Sequence, residues 1–317
     1  MSPASPTSST SLRQGYIAGT LCYVLWGTMP LYFSAIDEAS PLEILAHRIV
    51  WSLVFTIVLL AVLKRITLTI NVFKDWSLLK VLGIATVLIL INWLTYITAV
   101  STGNVLEAAL GYYINPLVTV LLAIVVLRER VPPTTWIALG IGAIAVIVMT
   151  VGSGKVPWIS FILAVSFGLY GLAKKNIGSR VDAIVSLSVE TALSTPLAVG
   201  FLIWLTLTSQ STFTGYGLTH TLLLSFAGIM TGLPLILFGH SARLLPLATL
   251  GLLQYIGPTI QFLVGILIFH ESMPPSRWIG FALVWLAIMV FTFGALSHKG
   301  IPPLARRAPR TPRKLGS

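Results

Sequence analysis

Five ionisable side chains stand inside apolar stretches: His47 and Arg48 in E-I-L-A-H-R-I-V, Glu107 in V-L-E-A-A-L, Glu190 in L-S-V-E-T-A and Arg243 in H-S-A-R-L-L. A charge in a hydrocarbon interior costs roughly 2.5–3.5 kcal/mol or more, so such groups face a cavity, pair with one another or carry protons. Arg48 and Glu107 lie a few residues inside the same helix boundary and are expected to pair, with His47 beside them. Glu190 holds the place of Arg48 in the second half of the chain, and Arg243 is its expected partner. Two pairs of reversed polarity, one near each face, would act as alternating gates, and Glu107 or Glu190 could carry a coupling proton. The alternative is that His47, Arg48 and Glu107 reach outer headgroups by snorkelling.

A second set of candidates surrounds two prolines. Pro116 and Pro258 fall in the middle of apolar stretches, in Y-Y-I-N-P and Q-Y-I-G-P. An interior proline removes one helical hydrogen bond and clashes with the carbonyl of residue i−4, here Tyr112 and Gln254. Interrupted helices at matching places in two halves point to a solute site in membrane carriers. Tyr112, Tyr113, Asn115, Gln254 and Tyr255 are therefore expected at a cavity, with Trp93 and the further aromatics Trp26, Tyr96, Tyr170 and Trp285. The plainer readings are helix kinks and aromatic residues at the membrane interfaces.

Other chemistry finds little support. The five histidines (His47, His220, His240, His270, His298) lack metal-ligand spacing. No Ser/His/Asp arrangement is readable, and Cys22 is the sole cysteine, which excludes an intrachain disulfide. Gly152-Ser153-Gly154-Lys155-Val156 has the outline of a phosphate loop but fails, with Met149 where a glycine is needed and Val156 where Ser or Thr is needed. No metal, no cofactor and no enzymatic activity are expected.

The elements that must hold these residues follow from composition. Of 317 residues, 56% are hydrophobic and 9% charged, with mean hydropathy +0.92. A soluble domain carries about 25% charged residues. Stretches of about 20 apolar residues span a bilayer, and they recur at 15–36, 42–63, 78–99, 105–127, 134–151, 156–173, 183–207, 219–240, 245–269 and 277–296. The fold class is thus an all-α integral membrane protein of ten transmembrane helices. Residues 1–14, rich in Ser, Thr and Pro, read as a disordered cytosolic N-terminus, and residues 298–317 as a basic cytosolic tail. Cytoplasmic loops are enriched in Lys and Arg. With both termini inside, seventeen of the twenty basic residues lie on the cytoplasmic side, Lys155 and Arg277 lie outside, and Arg48 lies within a span. That distribution accounts for the net charge of +11 without nucleic acid, and it places the tail where anionic lipid would attract it.

The chain also repeats. Residues 110–148 match 252–290 without gaps, and E-x-x-P-P-x-x-W-I starts at both Glu129 and Glu271. Trp26-Gly27 similarly meets Phe167-Gly168. The repeat units are 15–151 and 152–297, five helices each. An odd number inverts the second half relative to the first, an architecture of secondary transporters. Gly15-x-x-x-Gly19 and Gly228-x-x-x-Gly232 mark close helix approach.

The strings Glu43–Ser52 (EILAHRIVWS), Leu106–Val118 (LEAALGYYINPLV), Gly168–Lys175 (GLYGLAKK) and Thr249–Thr259 (TLGLLQYIGPT) resemble the EamA group of the drug/metabolite transporter superfamily, most closely its RarD-type branch. The similarity runs from about Gln14 to about Leu296. It implies ten helices, an inner-membrane location, and transport of small metabolites or drugs in the export direction, for which the two inverted halves would supply alternating access. The expected partners are a small-molecule substrate, membrane lipid and a coupling proton. A passive channel or facilitator, and behind it a membrane-embedded enzyme, are the alternatives.

Overall fold

The computed structural model describes residues 9–128, 131–175, 177, 180–245 and 247–297. Among these, thirteen helices are the only regular elements: α1 (Ser9–Gly27), α2 (Met29–Ser34), α3 (Pro41–Val62), α4 (Ile66–Lys74), α5 (Trp76–Ser101), α6 (Val105–Leu127), α7 (Pro133–Ser153), α8 (Trp158–Lys175), α9 (Ala183–Leu207), α10 (Gly217–Leu244), α11 (Leu247–Leu253), α12 (Ile256–Leu267) and α13 (Pro275–Ser297). Seven of them, α3, α5, α6, α7, α9, α10 and α13, are long and apolar enough to cross a membrane. The chain is a multi-pass membrane protein.

All ten apolar stretches are helical, but two are divided. The first splits at Thr28, just before Pro30, into α1 and α2. The ninth splits at Gln254–Tyr255 into α11 and α12. α1 begins at Ser9, earlier than the expected boundary at 15, and α4 is an unforeseen short helix between α3 and α5. The expected disordered residues 1–8 and the tail from 298 lie outside the described residues.

Helix starts follow local chemistry. Ser40 caps α3, its Oγ accepting from the Glu43 N–H at 3.2 Å, with Pro41 at the first helical position. The second proline of each E-x-x-P-P motif opens a helix, Pro133 in α7 and Pro275 in α13, because a proline there has no amide hydrogen to leave unbonded. Asp75 accepts from the Ser77 and Leu78 amides to start α5. Asp182 accepts from Ile184 and Val185 to start α9. The same two carboxylates lace one end of the bundle, since Asp75 also pairs with Arg180 at 2.6 Å and Asp182 with Arg65.

α1 lies against α10 and α12, α8 against α5 and α6, α3 against α9 and α10, α6 against α12, and α7 against α13. Exchanging the two halves of the internal repeat converts the α1–α10 contact into α8–α5, and α1–α12 into α8–α6. The α3–α9, α6–α12 and α7–α13 contacts map onto themselves. Small residues permit the closest approaches. A β-carbon on Gly228 would run into the Trp51 backbone, and one on Gly19 would fall 2.7 Å from Ser241 Oγ. Large apolar side chains such as Val151, Leu197, Leu207 and Phe293 point outward, more than two-thirds exposed, as a lipid-facing surface requires.

Candidate solute-binding cavity

A cavity of about 410 Å³ lies at the centre of the bundle, within the roughly 300–1,000 Å³ typical of small-molecule sites. Both halves of the chain line it. α1, α3, α5 and α6 supply Tyr23, Trp26, Arg48, Asn92, Trp93, Tyr112 and Asn115, among others. α8, α10, the α11–α12 junction and α12 supply Phe167, Tyr170, Lys174, Thr231, Gln254 and Gln261. The cavity runs toward the Lys174 end, where exposed Ala183 borders it. The opposite end is tied shut. Tyr32 Oη donates to the Leu223 carbonyl at 2.6 Å, Glu43 accepts from the Thr212 amide at 2.7 Å, and Glu38 lies 3.4 Å from His220.

Arg48 is 7% exposed and sits in the cavity wall. Its Nε donates to Thr231 Oγ1 at 2.9 Å, and its guanidinium carbon lies 4.1 Å from the Trp93 ring centroid and 5.8 Å from that of Phe33. Among the described residues it forms no ion pair. At the far end of the cavity, Lys174 Nζ pairs with Glu190 at 2.5 Å, over the Tyr170 ring. Ser186 donates to the same Glu190 oxygen, and Tyr170 Oη donates to the other at 3.2 Å. Between these charges a neutral polar network holds the wall. Asn92 donates to the Leu163 carbonyl and to Ser166, and accepts from Tyr112 Oη at 3.2 Å. Gln261 donates to the Trp26 carbonyl. Asn115 Oδ1 is buried without a hydrogen-bond partner among the described residues.

Of the expected cavity residues, Trp93, Tyr112, Asn115, Gln254 and Pro258 line it, as do Trp26, Tyr96 and Tyr170. Tyr113 and Tyr255 stack on each other behind the wall, with centroids 6.4 Å apart, and Tyr113 bonds Thr259 at 2.8 Å. Pro116 is not in the lining, and Trp285 belongs to an aromatic cluster with Tyr113, Phe262 and Phe281. The prolines also differ from expectation. α6 runs unbroken through Pro116, whereas the break comes before Pro258, which is the third residue of α12 and needs no intrahelical amide bond there.

The charge pairs need correction. Glu107 does not pair with Arg48. Its carboxylate accepts from the Ile159 amide at 2.9 Å, and its carbonyl from Ser160 Oγ, so it caps α8. The orphan amides and positive end of that helix provide what an ion pair would have provided. Glu190 is held by Lys174, and the side chain of Arg243, its expected partner, lies outside the described residues. His47 stacks on Phe213 at 4.6 Å, away from the cavity lining. Sequence reasoning missed Asn92, Thr231 and Gln261, each a polar side chain in an otherwise apolar run, which was the available signal. In the sequence Lys174 carries only a topological signal.

The arrangement defines a multi-helical membrane protein enclosing a small polar-and-aromatic cavity lined from both halves of the chain. Residues 13–151 match the EamA-like transporter family. Over 90% of both chains, the sequence is 43% identical to protein RarD of Streptomyces exfoliatus. It is 39% identical to the uncharacterized transporter YojE of Bacillus subtilis (90% of this chain, 96% of that one) and 30% identical to the chloramphenicol-sensitive protein RarD of Pseudomonas aeruginosa (87% and 93%). A protein of known crystal structure shares the fold at a TM-score of 0.59 and 18% identity, over 90% of this chain and 99% of that one. The chain belongs to the EamA-like transporter family, with the RarD proteins among its relatives, and that is a family of membrane transporters of small molecules.

Proposed function

We propose that the protein is a secondary transporter that exports a small metabolite or drug across the inner membrane by alternating access, with ten spans in two inverted five-helix halves and both termini in the cytosol. The observation that carries this reading is the central cavity, to which both halves contribute and which is tied shut at one end. The exchange of helix contacts between the halves and the bias of seventeen basic residues to one side support it. In this orientation the Lys174 end is cytoplasmic, and the conformation is inward-facing.

The Lys174–Glu190 pair, intact in this inward-facing state, is the site of proton coupling. A proton taken up by Glu190 cancels the attraction to Lys174 and frees both for rearrangement. Purified protein in proteoliposomes, screened with labelled amino acids and chloramphenicol with and without a proton gradient, tests the whole reading. Saturable uptake that collapses with the gradient is expected. Glu190→Gln should keep downhill exchange and lose gradient dependence, and the losses in Lys174→Gln and Glu190→Gln should be non-additive. Saturable flux indifferent to the gradient would mean a facilitator, and unsaturable flux a channel.

A further inference from the structure

We propose that the cavity selects its solute by an anionic headgroup, with the Arg48 guanidinium as the anchor, and that the solute is a small organic monocarboxylate with an apolar body. This deepens the transporter reading and rests on it for the word solute. Among the described residues, two charged side chains line the cavity, Arg48 and Lys174. Lys174 is neutralised by Glu190 at 2.5 Å. Arg48 is not neutralised, although it is 7% exposed and no carboxylate lies within ion-pair distance among the described residues. The cavity thus carries one uncompensated positive charge in apolar surroundings, where an unpaired ion is strongly penalised unless a counter-charge arrives.

Geometry narrows the counter-charge. Thr231 occupies Nε, and the Trp93 ring at 4.1 Å steadies the guanidinium plane. The two terminal NH₂ groups remain for the parallel, bidentate bonds that a carboxylate accepts. A doubly charged phosphate would want a second free cation, and the described residues of the cavity offer none. Around the anchor the wall is aromatic: Trp26, Trp93, Tyr96, Tyr112 and Phe167. Such a wall suits an apolar or aromatic body more than a sugar or a polyamine.

The test is equilibrium binding, separate from flux. Full-length protein in detergent is melted with increasing acetate, 3-methylbutanoate or 3-phenylpropanoate, each beside its uncharged amide. A saturable rise in melting temperature is expected for at least one of the larger carboxylates and not for its amide. Arg48→Met should weaken that binding at least tenfold and Arg48→Lys less, and Thr231→Val should weaken it severalfold by releasing the guanidinium. Should Arg48→Met fail to fold, the Lys and Val variants still decide. Equal binding of acid and amide, binding unchanged in the foldable variants, or no binding by any carboxylate would overturn the proposal. Carboxylate binding without flux would remove the transporter reading and leave the anchor standing. Saturable flux of neutral solutes alone, indifferent to carboxylates, would do the reverse.

Discussion

At Glu107 a half-buried carboxylate that looks like a gate turns out to be a helix cap. Its oxygen receives the Ile159 amide at 2.9 Å, and removing that acceptor strands a partly buried N–H, at a cost of about 1–3 kcal/mol. Glu107→Ala should therefore lower the melting temperature in detergent, while Glu107→Gln, which retains an acceptor, should lie near wild type. A residue whose charge mattered would show the opposite ranking in transport, with Gln as harmful as Ala. That Glu107 and Arg48 are embedded in apolar runs is readable from sequence; which atoms they meet is not. Both were placed at the same depth, but depth is one coordinate. The direction in which each side chain leaves its helix depends on contacts with α8 and α10, elements more than 50 residues away in the chain. Lys174 shows the same limit from the other side, because a lysine at a helix end carries the same topological signal whether it faces water or Glu190.

Helix positions were far more legible than side-chain pairings, since about 20 apolar residues and a terminal proline are local facts. The start of α7 at Pro133 and of α13 at Pro275 could be read from the repeated motif, and α9 matches its expected span of 183–207. α4 was not legible, being short and hemmed by Lys64, Arg65 and Lys74. Caps at the Asp75–Asp182 end give this scale its own pH dependence. The Ser77 hydroxyl, followed by the Leu78 amide and Arg180, holds the Asp75 carboxyl below its ordinary range. A folded pKa below the unfolded one stabilises above the unfolded value of about 4, and that stabilisation is lost as pH falls through the folded value. Protection factors at Ser77 to Leu79, taken relative to the intrinsic exchange rate at each pH, should fall on acidification through that window, and Asp75→Asn should flatten the dependence. A fall that is equally steep in the variant would remove Asp75 as its source.

Across the whole molecule, the cavity belongs to neither half, and its mouth near Ala183 defines one conformational state. Cys22, the only cysteine, is fully buried, so the native chain is a quiet background for thiol labelling. Ala183→Cys should react with a membrane-impermeant maleimide applied from the cytoplasmic side and not from outside, and bound solute should slow the reaction. Labelling from the outer side alone would reverse the proposed orientation. The unequal prolines carry the furthest consequence. α6 runs unbroken through Pro116, while the matching segment is severed before Pro258. If the halves trade conformations, one frame already holds both endpoints of the cycle: a continuous helix and a divided one. In the opposite state α6 would fold at Tyr112–Tyr113 and α11 would fuse with α12. Pro116→Ala, by restoring the missing amide bond, should then trap the protein in the state seen here, still able to bind but slow to turn over.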